Sequence, residues 1–224
     1  MVRLVRWMFG RDDREGDTET RRERMVEKLR ERGRIERETT AAALESVPRH
    51  EFLPESRRDS AYADRPLPIG AGQTISAPHM VAVMTDLLEL KPGDRVLEVG
   101  TGCGYHAAVT AEIVGPENVY SVEYVEELAT DARDRFEELG YDIKVRVGDG
   151  WEGWPERAPF DAAYLTCAAP EIPPPVVDQL EIGGRLVSPI GNGRQVLIRA
   201  FKTDDGLERE QHGGVRFVPL QRDE

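Results

Sequence analysis

The stretch Val96-Leu97-Glu98-Val99-Gly100-Thr101-Gly102-Cys103-Gly104-Tyr105 decides how the rest of the chain is read. Val96 to Val99 has the apolar content of a buried strand, and it runs without a break into three alternating glycines and then a helical pattern from Tyr105. Glycine lacks Cβ and accepts positive φ, so alternate glycines let the backbone turn sharply and approach a ligand closely. Glycine alone does not specify the ligand. A dinucleotide fingerprint sets its third glycine three residues after the second, whereas Gly104 follows Gly102 by two. Glu98 stands just before the loop, and an acidic residue there suits a cationic amino-acid group better than a diphosphate.

Outward from this stretch, strand and helix alternate. Val119–Glu123 reads as a strand and Val125–Leu139 as a helix with Val125, Leu128, Ala129, Ala132, Phe136 and Leu139 on one face. Ile143–Val147, Phe160–Leu165 and Arg185–Pro189 follow as strands, with a short helix near Val176–Leu180. The succession predicts an α/β fold with a mostly parallel, doubly wound sheet, whose ligands bind beyond the carboxyl ends of the strands where the strand order switches. Upstream, Arg21–Arg32 and Thr39–Val47 read as short amphipathic helices, 49–73 as an extended, turn-rich stretch, and the residues after Ser76 as a helix to about Leu90. Downstream, Gln195–Leu220 reads as antiparallel strands with turns at Asp204–Gly206 and Gly213–Gly214. Residues 1–20 read as a mobile N-terminal tail and 21–224 as a single domain, divided into 21–93 (helices and substrate-side loop), 94–190 (cofactor core) and 191–224 (C-terminal strands).

At 224 residues the chain suits one such domain. A net charge of −12 opposes binding to nucleic acid and anionic membranes. No apolar run reaches the ~20 residues of a membrane span, and Arg3 and Arg6 interrupt the opening segment. The two cysteines, Cys103 and Cys167, form neither a disulfide framework nor a zinc pattern, and His50, His79, His106 and His212 show no metal-like pairing. These features point to a soluble, cytoplasmic protein in a reducing compartment, without a metal and monomeric. All but four of the 30 cationic side chains are arginine, the exceptions being Lys28, Lys91, Lys144 and Lys202. Acid excess with scarce lysine suggests a high-salt habitat, for which a GC-rich genome is the alternative; stability that failed to rise from dilute to molar KCl would reject it.

The glycine spacing resembles the first motif of class I S-adenosylmethionine-dependent methyltransferases. On that resemblance Glu98, Gly100, Gly102 and Gly104 belong to the cofactor site. Glu123, 19 residues beyond Gly104, closes the next strand where a carboxylate can take both ribose hydroxyls. Asp149 and Gly150 stand where this class holds the adenine amino group, although Asp-Gly is also a plain turn.

The methyl acceptor is read elsewhere. Pro66-Leu67-Pro68-Ile69-Gly70-Ala71-Gly72-Gln73-Thr74-Ile75-Ser76-Ala77-Pro78-His79-Met80 resembles the signature of the protein-L-isoaspartate (D-aspartate) O-methyltransferase family. The resemblance runs from Met25 onward and includes Val47-Pro48-Arg49-His50-Glu51-Phe52, Thr166-Cys167-Ala168-Ala169-Pro170 and Val215-Arg216-Phe217-Val218-Pro219-Leu220. It implies methyl transfer from S-adenosylmethionine to the free α-carboxylate of L-isoaspartyl residues in damaged proteins, with D-aspartyl residues as an extension. Thr74, Ile75 and Ser76 then border cofactor and acceptor, with Ser76 as the active-site serine. Thr166, Ala168, Pro170 and Val218 would grip the substrate backbone. Read locally, Ser76 is also a candidate N-cap for the helix that follows Ala77 and Pro78. The sequence departs from the family at Cys103, where serine or threonine is more usual, and at Ala71, where bacterial relatives often carry an aromatic.

Two other functions compete with this reading. A methyltransferase of RNA, DNA or a small molecule shares the cofactor half, but the acidic charge opposes nucleic acid, and Thr166-Cys167-Ala168-Ala169-Pro170 replaces the Asn/Asp-Pro-Pro-aromatic segment of base methylation. The other is a catalytically silent isoaspartyl-binding module.

Overall fold

The computed structural model describes residues 13–222. Helices α1 (Asp13–Glu31) and α2 (Glu38–Ser46) open it. Of the tail expected over 1–20, the last eight residues are helical instead, and residues 1–12 lie outside those described. Apolar periodicity misses this early part because Asp17 is exposed and pairs with Arg21 at 3.8 Å instead of packing on a core.

The segment expected to be extended forms two short 3-10 turns (Arg49–Phe52 and Glu55–Ser60) and then a hairpin of β1 (Leu67–Gly70) and β2 (Gln73–Ile75), with Leu67 opposite Ile75. Helix α3 (Pro78–Leu88) follows. The alternating part then appears in order: β3 (Val96–Val99), α4 (Tyr105–Val114), β4 (Val119–Glu123), α5 (Glu126–Leu139), β5 (Lys144–Val147), β6 (Phe160–Leu165) and α6 (Pro174–Asp178). Three long strands close the fold: β7 (Leu180–Ile190), β8 (Gln195–Thr203) and β9 (Gly206–Val215).

One seven-stranded sheet takes the order β5-β4-β3-β6-β7-β8-β9, parallel as far as β7 and antiparallel from β7 to β9. The chain winds outward from β3 to β5 and then crosses back to β6, so the switch in strand order lies between β3 and β6. Gly213–Gly214 is not a turn. Val196 pairs with Gly214 and Ile198 with Gln211, so the glycines sit at a bulge that keeps β9 running to Val215.

Strand alternation sorts the core onto two faces. Leu97 and Val99 pack with Leu165, Leu186 and Val176 on one side. Val96, Ala162, Tyr164 and Val187 pack on the other, beneath α2, α3 and α4. Among the described residues no helix is long and apolar enough to cross a membrane.

Candidate functional site

The site begins where β3 ends. Gly100 N–H donates to Val122 O at 2.8 Å, extending the parallel ladder by one step before the backbone turns. Gly100 has φ +97°, and a Cβ there would collide with Thr166 Oγ1, whose hydroxyl donates to the Gly100 carbonyl. The loop is held from the next strand by Glu123, whose Oε2 accepts from Gly102 N at 2.8 Å while Oε1 accepts from Val125 N at 3.0 Å.

Above this loop lies a cleft of about 720 Å³ with the solvent in its open mouth included. Its walls bring together Thr74, Ile75 and Ser76, the loop residues Gly100 and Gly102, then Glu123, Gly150, Thr166 and Val218. A second groove, between the β1–β2 hairpin, the start of α3 and the chain after β9, shares Thr74, Ser76, Thr166 and Val218 with the first. The two cavities therefore meet at Ser76. The groove wall is kept extended by Gln195, which clamps the Phe217 backbone by accepting from its N–H at 2.6 Å and donating to its carbonyl at 3.0 Å.

Ser76 is free for a role at this junction because it does not cap α3. The cap position is Ala77, without a side-chain cap bond, and the Asp64 carboxylate supplies the missing acceptor by taking His79 N–H at 3.0 Å. Local reading assigns the cap to Ser76 because Asp64 is distant in sequence.

The sequence profile of the protein-L-isoaspartate(D-aspartate) O-methyltransferase family matches residues 20–224. The chain belongs to this family. It is 54% identical over 208 residues to protein-L-isoaspartate O-methyltransferase 2 of Archaeoglobus fulgidus, covering 92% of this chain and 94% of that one. It is 53% identical to protein-L-isoaspartate O-methyltransferase of Methanopyrus kandleri, covering 89% and 90%. A solved Plasmodium falciparum structure, described as a candidate member and holding S-adenosyl-L-homocysteine, superposes with a TM-score of 0.80 at 29% identity, covering 90% of this chain and 99% of that one. The methyl donor of the family is S-adenosylmethionine.

Within this family frame, several expected residues lie elsewhere. Glu98 is fully buried and is not part of the cleft wall, because alternation sends it with Val96 to the helix-covered face. There it accepts from Tyr164 OH at 2.9 Å and from Ser121 Oγ, which also meets Thr101 Oγ1 of the loop at 2.6 Å. Burial pushes its carboxyl up to about 8, so at neutral pH it is largely an uncharged acid bracing the loop from below. Gly104 also lies outside the wall. It has φ +88° at the start of α4, where a Cβ would lie 2.5 Å from Phe136 Cζ. Asp149 caps a 3-10 turn through Trp151 N at 2.8 Å, leaving only Gly150 in the cleft. The Ala168 backbone is already used: its N–H donates to Val218 O and its carbonyl accepts from Leu220 N, both at 2.8 Å. Pro170 is exposed and borders neither cavity.

Other wall residues escaped the sequence reading: Val81, His106 and Gln221 line the cleft. His79, Met80 and Phe217, which belong to the segments that carry the family resemblance, line the groove. Helical spacing could not single out Val81 or His106, since both sit in apolar helices that read as core. Cys103 and Cys167 are free thiols in the cleft wall, and burial raises both pKa values, so they are unreactive small residues there. Among the described residues no group of three or more His, Cys, Asp or Glu side chains is placed to hold a metal ion.

Proposed function

We propose that this chain transfers the methyl group of S-adenosylmethionine to the free α-carboxylate of L-isoaspartyl residues, and of D-aspartyl residues as the family name includes, in damaged proteins and peptides. The observation that carries the reading is the meeting of the cleft and the groove at Thr74, Ser76, Thr166 and Val218. A donor in the cleft and an extended chain in the groove would present their reacting atoms to each other at that point.

The residues suit the donor. Glu123 lines the cleft with a carboxylate able to accept ribose hydroxyls. When bound, the sulfonium supplies an electrophilic methyl group. The acceptor carboxylate has an ordinary pKa of ~3.9, so it is ionised at neutral pH and attacks in line without a general base. The protein's task is alignment and exclusion of water, worth up to ~7–11 kcal/mol when two reactants are well oriented. Ser76 Oγ can donate to one carboxylate oxygen while the other attacks. That bond must not favour the charged ground state strongly, because charge is lost on the way to ester. Thr166 and Val218 flank the acceptor; Ala168 supports Val218 through the backbone bond described above.

The product is a methyl ester, whose leaving group is methanol. The following backbone nitrogen then closes a succinimide without the enzyme, and ring opening returns part of the chain to normal aspartate. We take the protein to work as a cytoplasmic monomer on polypeptides, since its net charge of −12 opposes polyanions and both thiols are free.

Incubation with methyl-labelled donor and paired isoaspartyl and aspartyl peptides tests this. Base-labile label on the isoaspartyl peptide alone is the expected result. Stable label on nucleic acid, or peptide binding without label, would overturn it.

A further inference from the structure

Arg49 has no exposed surface, and the ionisable groups that bear most on its charge are Tyr105, Cys103 and Tyr62, none of them a carboxylate. Neutral groups alone hold the guanidinium. The Ala61 and Ser76 carbonyls each accept from it at 2.8 Å, and the Tyr105 ring centre lies 4.7 Å from its carbon. An arginine stays protonated in proteins, and a buried charge without an opposite charge is costly to the fold. A cation kept at that cost, one peptide group from the residue where the two cavities meet, points to an anion at the junction.

The peptide between Ser76 and Ala77 connects the cation to the groove. It is trans, so its carbonyl and its N–H point opposite ways. Arg49 lines neither cavity, whereas Ser76 and Ala77 both line the groove. With the carbonyl drawn inward to Arg49, the Ala77 N–H is left on the groove side. The fold does not use it: the Ala77 carbonyl accepts from Met80 N and Val81 N at the start of α3, but among the described residues the Ala77 N–H donates to nothing. A hydrogen bond received at one end of an amide polarises the other, so a cation on the carbonyl strengthens the N–H as a donor.

We propose that Arg49 is a positioning residue for the acceptor: acting through the Ser76–Ala77 peptide, it makes the Ala77 N–H a charge-selective donor to the free α-carboxylate, beside Ser76 Oγ. This rests on the isoaspartyl reading of the groove. Because the carboxylate gives up its charge as the ester forms, the relay acts on acceptor binding, and KM carries its effect more than kcat does.

Calorimetric titration of the chain loaded with S-adenosylhomocysteine tests it, using an isoaspartyl peptide and the same peptide with isoasparagine, in which a neutral carboxamide replaces the acceptor carboxylate. The wild type should hold the isoaspartyl peptide about tenfold tighter or more. Arg49→Met should bring the two affinities together by weakening the isoaspartyl peptide, and Arg49→Lys, which keeps a charge, should restore part of the difference. Equal weakening of both peptides would mean that Arg49 only holds the backbone, and would overturn the proposal. A wild type that binds the two equally, or an Arg49→Met variant that keeps the wild-type difference, would overturn it as well. A wild type that binds neither peptide would instead sink the isoaspartyl reading, and this inference with it. If Arg49→Met does not fold, ¹H–¹⁵N spectra of the wild type decide: the Ala77 amide proton should move downfield with the isoaspartyl peptide and much less with the isoasparaginyl one. Equal or absent movement overturns the proposal.

Discussion

The carbonyl oxygen of Ser76 accepts a 2.8 Å hydrogen bond from Nη2 of Arg49, a side chain with no exposed surface. Nε of the same guanidinium donates to Ala61 O at 2.8 Å, and its carbon lies 4.7 Å from the centre of the Tyr105 ring. One buried cation thus ties the junction residue to the preceding loop and to the first residue of α4. Burial lowers its pKa, but an arginine side chain keeps its charge in proteins.

Replacing Arg49 by methionine should therefore disturb both stability and turnover. Two largely buried carbonyls lose their donor, at ~1–3 kcal/mol each, which for a chain of this size lowers the unfolding midpoint by roughly 5 °C or more. The isoaspartyl-peptide kcat/KM should fall more than donor affinity, because the Ser76 backbone drifts. Arg49→Lys should recover only part, since an ammonium lacks the fork that serves both carbonyls. Thermal scans and steady-state kinetics at saturating donor check this; an unchanged midpoint would refute it.

Ser76→Ala and Asp64→Ala should separate chemistry from capping. Removing a hydroxyl that bonds a charged acceptor costs ~1.5–3 kcal/mol, or roughly 10- to 100-fold in kcat/KM. Stability should change little, because α3 does not use Ser76 as its cap. Asp64→Ala removes the acceptor of His79 N–H and should lose about 1 kcal/mol of stability. Full turnover by Ser76→Ala would remove that residue from the mechanism.

Glu98 should leave a signature in the pH dependence of stability. Its folded-state carboxyl titrates at about 8 against an ordinary 4.5, so between these values the folded chain keeps a proton that the unfolded chain has released. Its contribution to stability therefore falls as pH rises through that window and levels off above about 8. Glu98→Gln cannot ionise, so its unfolding midpoint should decline less than that of the wild type across the same range. Parallel midpoint curves for the two proteins would contradict this.

Gly104→Ala should fail for two reasons at once. The backbone there is left-handed at φ +88°, and the new methyl would meet the Phe136 ring. A left-handed non-glycine residue costs ~1–3 kcal/mol before any displacement of the ring. Urea midpoints for Gly104→Ala, and for Gly104→Ala with Phe136→Leu, should show partial rescue in the double variant. A single variant as stable as wild type would refute the packing argument.

Much of the fold is legible in the residues themselves. The strand at Val96, the glycine loop and the helical face of α5 are local patterns, because alternation and helical periodicity repeat within a few residues. The departures also have local causes. Gly213–Gly214 resembles a turn but serves as a bulge, since only the partner strand decides whether an extra residue is absorbed. Glu98 looks like a cleft residue by its place beside the loop, but one position along a strand exchanges the two faces of the sheet.

The sequence by itself determined the alternating architecture and placed the ligand-binding turn at the end of β3, because hydrophobic period and glycine conformational freedom act between near neighbours. Tertiary structure alone decided which groups are free to act. Ala168 is occupied by the extended segment Val218–Leu220 after β9, Asp64 releases Ser76 from capping, and Arg49 holds Ser76 in place. Each of these outcomes depends on who satisfies a backbone donor or acceptor across a long stretch of chain. A buried polar group must find some partner, but the linear order does not say which one.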